Sequence, residues 1–444
     1  MTGSGTPADR LDALTATAMV VSQVVGVGIF LSPATMMRTV GGGGALAVWA
    51  VMGLLSTAGA LCYAELATRF PRAGGAYVFL REAFGPRWAF LHGWMTLLVV
   101  DPGLTAALGV GFAQYLLATL GGPASAVPLA AAGTIVGFGL TTLLGLRASA
   151  RMMRWTAAAK LLIVAVLAGA ALVRSGGIPA GAVAEAGVSP AALAASIIAA
   201  FFAFGGWWEL GRMAEEIAFP RRTMPVALVG GLALVTGMYA LATLAYSLGA
   251  PASAGGTDEA FVLSVGTALF GGAGGRLLSG MVVVAVAGSL AAVLLGAPRA
   301  YLAMARDGLF PGSLARMNPR RGTLPASTLL QVALAAGLAL VGSFEEILGY
   351  FVPCAVFFLG LSAAAVLVLP RPGPDRAIFT APLHPLPIVL FLAMVALVLV
   401  LFVAGQPRQT LLGAAVVLLG LPVSWLVLPR HARPGRRSLG GSSD

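Results

Sequence analysis

The chain has 444 residues, 59% of them hydrophobic and 10% charged, with a mean hydropathy of +0.94. A soluble domain of that length has too little interior to hide so much apolar surface, and the long charge-free runs read as membrane spans. The formal charge of +11 does not mark a nucleic-acid binder, because the basic residues gather in alternate loops.

The segment Met1 to Arg10 is short and polar, with no small-residue cleavage site after an apolar core, so the first span is expected to be permanent. About twelve spans follow, each near the ~20 residues a bilayer requires. They fall near 13–38, 44–67, 86–119, 125–146, 152–173, 191–216, 224–249, 276–304, 325–342, 346–369, 384–404 and 410–429. The third is long, which predicts tilt. The turn-rich, nearly uncharged loops Gly121-Gly-Pro, Pro251-Ala-Ser-Ala-Gly-Gly and Gly405-Gln-Pro fit the outer side.

Charge sets the expected orientation. One set of loops carries Arg69, Arg72, Arg81 and Arg87, then Arg147, Arg151 and Arg154, then Arg221 and Arg222. It continues with Arg299, Arg306, Arg316, Arg320 and Arg321, then Arg371 and Arg376, then the tail from Arg430. The other set holds only Arg38, Arg174, Arg276 and Arg408. This positive-inside pattern predicts a multi-pass protein of the cytoplasmic (inner) membrane with both termini cytoplasmic.

The first span contains Val20-Val-Ser-Gln-Val-Val-Gly-Val-Gly-Ile-Phe-Leu-Ser-Pro33. Gly26 and Gly28 predict a break, since glycine unwinds a helix at least cost. Unwound backbone at membrane depth is tolerated only where it is buried in protein or lines a cavity. The sixth span is interrupted in the same way, at Phe201-Phe-Ala-Phe-Gly-Gly-Trp-Trp208. Breaks at corresponding positions predict two repeats, residues 13–173 and 191–369, the second inverted, with a solute site between them. Residues 384–429 then form two added helices, between a tail at 1–12 and a basic tail at 430–444.

A helix break offers N–H groups and a positive dipole end to a carboxylate, and free carbonyls to an ammonium. The pair suits the head group of an α-amino acid. The expected donors are the N–H groups of Val27, Gly28 and Ile29. The expected acceptors are the carbonyls of Val24 and Val25 and of Phe202 and Ala203. Gly26, Gly205 and Gly206 permit the breaks, and Phe202, Phe204 and Trp207 are expected against the substrate side chain, although any single aromatic more often only packs.

Four residues are candidates for coupling. Lys160 is the one lysine of the chain and lies well inside the fifth span. An intramembrane lysine is costly and marks function by default. It can stand where a cation would neutralise the carbonyls of the broken first helix, or it can snorkel towards Arg154. Asp101 lies deep in the third span, and Glu209 opens the outgoing half of the sixth. Either can line a water path, pair with a cation or relay protons. Ser289 offers a hydroxyl in the eighth span, a position where serine alone often serves packing. Glu65, Glu215 and Glu216 lie beside arginines at helix ends and are expected to form gating ion pairs, such as Glu65 with Arg69 or Glu216 with an arginine of another loop.

Cys62 and Cys354 predict no disulfide framework, and the three histidines have no ligand spacing. No phosphate-binding loop or nucleophile arrangement is present, so neither an enzyme, a metal site nor a cofactor is expected. The sequence gives no signal for oligomeric state.

Gly26-Val-Gly-Ile-Phe30 resembles the G-S-G-I-F of the first span in amino acid–polyamine–organocation transporters. Tyr63-Ala-Glu-Leu-Ala-Thr-Arg-Phe-Pro-Arg-Ala-Gly-Gly-Ala-Tyr77 is similar to their loop after span two. Phe202-Ala-Phe-Gly-Gly-Trp207, Ala214-Glu-Glu-Ile and Pro220-Arg-Arg-Thr-Met-Pro225 resemble their span six and the loop after it. Arg299-Ala-Tyr-Leu-Ala-Met-Ala-Arg-Asp-Gly-Leu-Phe-Pro311 looks like their end of span eight. The resemblance implies an all-α membrane protein of LeuT-like five-plus-five inverted repeats plus two helices. It implies alternating-access transport of amino acids by exchange or with protons.

Lys160 matches the span-five lysine of the L-type exchanger and proton-coupled bacterial branches, where it substitutes for sodium. Val27 stands where the family usually has Ser, and Trp208 where the L-type branch usually has Asn. The expected function is amino acid permeation through a lipid bilayer. The alternatives are a polyamine or cationic amino acid antiporter, favoured if Asp101 or Glu209 faces the pocket, or a scaffold retained as a sensor or channel.

Overall fold

A computed structural model describes residues 10–26, 28–175, 189–249, 258–341, 344–371, 373, 378–405 and 407–427. Sixteen α-helices occur among them. The first seven are α1 (Ala13–Val24), α2 (Gly28–Arg69), α3 (Ala76–Phe84), α4 (Pro86–Met95), α5 (Asp101–Leu120), α6 (Val127–Thr142) and α7 (Leu146–Ser175). Next come α8 (Pro190–Ala203), α9 (Pro220–Gly249), α10 (Asp258–Phe270), α11 (Gly274–Gly296) and α12 (Pro298–Arg306). The last four are α13 (Pro325–Val341), α14 (Phe344–Val368), α15 (Leu386–Gly405) and α16 (Pro407–Val427). A 3-10 helix, Trp207–Glu216, continues α8 after a turn, and a π turn, Thr96–Val100, joins α4 to α5. Among the described residues no sheet is built, only two isolated bridges.

Ten of these segments are long and apolar enough to cross a membrane, eleven if the bent pair Ala13–Val24 and Gly28–Met37 counts as one span. The expected ninth span is the shorter apolar helix α13. The long third span is the continuous run Pro86–Leu120. Two helices were not expected. Both α3, whose Tyr77, Val78, Phe79 and Leu80 are buried, and α10 are too short to cross a bilayer, so a search by span length passes over them.

Helices in lipid gain no hydrophobic drive from meeting one another, so close approach and hydrogen bonds hold them together. A Cβ at Gly53 of α2 would collide with Thr236 Oγ1 of α9, and one at Gly231 of α9 would lie 2.6 Å from Val20 Cγ1 of α1. Fully buried Trp49 locks α2 to α9: its Nε1 donates to Thr243 Oγ1 at 2.8 Å, and its ring centroid lies 4.5 Å from that of Tyr239. The result places α1, the turn after α8, α5, α11 and α14 around one central space.

Candidate functional site

α1 stops where its ladder fails. Gly26 N donates to Val24 O at 2.9 Å, two residues back, and Val25 leaves the helical region at φ −77°, ψ 86°. α2 opens at Gly28, and the axes of Ala13–Val24 and Gly28–Met37 differ by 65°. The second interruption follows α8, where Gly206 takes φ 112° before the 3-10 helix begins.

The two breaks touch. A Cβ at Gly28 would sit 3.1 Å from Ala203 Cα, and a Cβ at Gly206 would sit 3.1 Å from Gln23 O. Close approach requires glycine at the first position; close approach and left-handed backbone require it at the second.

The carbonyls freed at the end of α1 are met by side chains. Lys160 Nζ donates to Ser22 O at 2.8 Å and to Ser289 Oγ at 3.0 Å. Ser289 Oγ lies 2.7 Å from Ser22 O and 2.9 Å from Val25 O, so its one proton serves either carbonyl. Ser22 Oγ in turn donates to Met153 O at 3.0 Å, fixing α1 to α7. Lys160 is only 1% exposed; its ammonium is held inside rather than drawn out beside Arg154.

Tyr239, absent from the sequence-based candidates, donates to Ala203 O and lies 3.4 Å from Val24 O, touching both broken helices. Phe202 O accepts from Gly205 N at 3.0 Å. The four expected acceptor carbonyls therefore all have internal partners: Val24 O is reached by both Gly26 N and Tyr239 OH, and Phe202 O by both Gly205 N and Phe204 N, so a second lone pair remains on Val25 O and Ala203 O. Gly28 and Ile29 open α2, where N–H groups have no intrahelical acceptor. Val27 lies outside the described residues.

A cavity of about 800 Å³, counted to its open boundary, lies against the breaks. Gly26, Gly28, Ala203 and Gly205 form one wall; Leu104, Leu108, Phe351 and Val352 form an apolar one. Of the expected aromatics, Phe202 lines the cavity. Phe204 instead packs edge-on against Trp49 and Tyr239, and Trp207 against Tyr63 and Phe391, both nearly fully buried. The turn at Gly206 rotates the chain so that Trp208, not Trp207, faces the cavity.

Glu209 also borders the cavity, and its charge is met within the protein. Arg212 Nε pairs with Glu209 Oε2 at 2.8 Å, while Arg212 Nη1 reaches both carboxylate oxygens of Asp101 at 2.9 Å. Tyr301 OH donates to Asp101 Oδ2 at 3.0 Å. All four residues are buried. Sequence reasoning missed Arg212, although its spacing of three from Glu209 within an apolar span was a usable signal. A smaller cavity shares Trp208 and Glu209 with the first and reaches His92 and Thr96.

The expected gate residues converge at the arginine-rich helix ends. Glu216 binds Arg299 Nε at 3.1 Å, and the guanidinium also caps Leu295 O at 2.8 Å. Glu215 pairs with Arg306 at 2.9 Å and accepts from Ala73 N at 3.2 Å. The partner the structure gives Glu65 is the Ala381 amide, at 2.8 Å; Arg69, the partner expected from spacing, donates to Pro370 O. Leu11 N donates to Glu216 O and Ala218 N to Leu11 O, clipping the start of α1 to the end of the 3-10 helix. Asp307 adds bonds from Tyr77 OH, at 2.6 Å, and from Arg81.

Residues 11–421 match the amino acid permease family. A serine/threonine exchanger of Bacillus subtilis is 27% identical over 433 residues, covering 95% of this chain and 98% of the relative. The large neutral amino acids transporter small subunit 2 of Mus musculus is 30% identical over 438 residues, covering 94% and 80%. The cystine/glutamate transporter of Homo sapiens is 27% identical over 439 residues, covering 96% and 86%.

Proposed function

The chain belongs to the amino acid permease family, within the amino acid–polyamine–organocation superfamily, and from that premise we propose a sodium-independent transport cycle for it. It is a multi-pass membrane transporter of amino acids and not an enzyme. The proposed cycle is alternating access in the cytoplasmic membrane, by exchange or with protons, on a scaffold of twelve spans. Residues 13–173 and 191–369 form its two inverted repeats, 384–429 its added helices, and both termini are cytoplasmic.

The observation that carries the sodium-independent reading is the contact of Lys160 with Ser22 O and Ser289, which in turn reaches Val25 O. A buried ammonium there supplies the positive charge that the open carbonyls at the break would otherwise take from a metal cation. The substrate carboxylate is assigned to the N–H groups of Val27, Gly28 and Ile29. Its ammonium is assigned to the carbonyls of Val24, Val25, Phe202 and Ala203, of which Val25 and Ala203 offer a second lone pair. Glu215, Glu216 and Arg299 close the arginine-rich face in this conformation, with Glu65 holding the 381 segment. Opening towards that face breaks the Glu216–Arg299 pair.

The cationic-substrate reading was conditioned on a carboxylate reaching the pocket. Glu209 does border it, but Arg212 pairs with that carboxylate, and a neutral side chain suits the remaining lining better. The test is uptake of a labelled amino acid panel into proteoliposomes, with and without internal substrate, a pH gradient and sodium. The expected result is uptake that internal substrate or a pH gradient stimulates and sodium does not. No amino acid uptake under any of these conditions contradicts it.

A further inference from the structure

We propose that Gln23 is a substrate-binding residue that selects amino acids whose side chain ends in a hydroxyl or a carboxamide. The inference rests on the amino acid transport reading and adds the substrate class.

The central cavity is lined almost entirely by apolar side chains. Among the described residues, Gln23 and Glu209 are the lining side chains that carry an amide or a carboxylate. Glu209 is held by Arg212 at 2.8 Å. Gln23 is different: it is 6% exposed, and neither its Nε2 nor its Oε1 has a hydrogen-bond partner among the described residues. Buried polar groups are nearly always paired, and those that are not call for an explanation such as a ligand or water. Here the amide sits one residue before the end of α1, in the corner between the two breaks and α11. A Cβ at Gly206 would contact Gln23 Cβ at 3.5 Å, and one at Gly296 would contact its Nε2 at 3.6 Å. Those ordinary contact distances place the amide directly beside the second break and the end of α11.

The chemistry of the amide narrows the occupant. A carboxamide presents donors on nitrogen and an acceptor on oxygen. A substrate hydroxyl or carboxamide also carries both and satisfies both ends. An ammonium or guanidinium uses only the acceptor and leaves the NH₂ group buried and unpaired. A carboxylate uses only the donor and leaves the amide oxygen unpaired. An apolar side chain satisfies neither.

The experiment compares near-isosteric pairs, threonine with valine and glutamine with methionine, as competitors for uptake by the full-length protein in liposomes. A site built to bond a polar group rejects the analogue lacking it, so the wild type should favour the polar member of each pair by at least about tenfold. Gln23→Met should bring each ratio to within about twofold of one, and Gln23→Asn should give an intermediate ratio. Because the amide makes no bond among the described residues, Gln23→Met should unfold at the same temperature as wild type or higher. Three results overturn the proposal: no polar preference in the wild type, a ratio unaltered in Gln23→Met, or preference for lysine or arginine. Loss of folded protein in Gln23→Met overturns it as well, since that marks a structural role. No uptake of any amino acid fails the transport reading itself, a result distinguishable from uptake without preference.

Discussion

Two buried charged clusters flank the same pair of helix breaks and are built on opposite principles. Lys160 faces dipoles, a backbone carbonyl and a serine hydroxyl, and among the described residues no carboxylate bonds to it. Arg212 faces full charges, spanning Asp101 and Glu209. An ammonium held by neutral groups can exchange one dipole for another, such as a substrate's or a water's, whereas a guanidinium between two buried carboxylates cannot leave without stranding them. In the proposed cycle the first cluster belongs to the part that changes, and the second is a brace between the third span, the sixth and α12.

Substitutions that break this contrast should rank accordingly. Arg212→Met strands two buried carboxylates and should cost about 3–5 kcal/mol, read as a large drop in unfolding temperature. Adding Asp101→Asn and Glu209→Gln should recover most of it; a stable single variant would refute the brace. Lys160→Ala should cost about 1–3 kcal/mol, because it removes one donor from carbonyls that have others. Uptake by that variant should nonetheless fall below a tenth of wild type, roughly the effect of losing one charge-assisted contact in the cycle. Gly206→Ala places a side chain at φ 112° against Gln23 O, and should cost about 1–3 kcal/mol of thermal stability.

The smallest effect concerns Asp12, which caps α1 by accepting from Thr15 N at 2.8 Å. Hydrogen bonding from the Thr15 side chain, and then from the Thr15 N–H, lowers its pKa below the usual carboxylate value. Its contribution is therefore complete above the ordinary aspartate pKa and is lost as pH falls through the depressed one. Asp12→Ala should cost about 1 kcal/mol at neutral pH. The gap between variant and wild type should close in acid, as thermal melts across pH would show.

The same contrast explains what was legible in the sequence. Lys160 was visible because it is the one lysine and lies in an apolar run; its partners followed from the glycines that free the carbonyls. Arg212 was hidden among many arginines concentrated near helix ends, and only folding brings Asp101, 111 residues away, onto it. Span positions were readable from apolar length, whereas α3 and α10 fall below that length. The choice between Trp207 and Trp208 as a cavity residue depends on the backbone angle at Gly206, which composition does not encode. Tyr239 was lost for a similar reason. Its hydroxyl acts 36 residues from its carbonyl partner, Ala203, and nothing local marks it.

The central claim is that Lys160 occupies the electrostatic place of a metal cation at the first break. The direct measurement is initial uptake into proteoliposomes in sodium against choline medium, for wild type and for Lys160→Ala. The account predicts equal wild-type uptake in both media and collapse in the variant. Strict sodium dependence of the wild type, or a variant that transports as well as wild type, would contradict it.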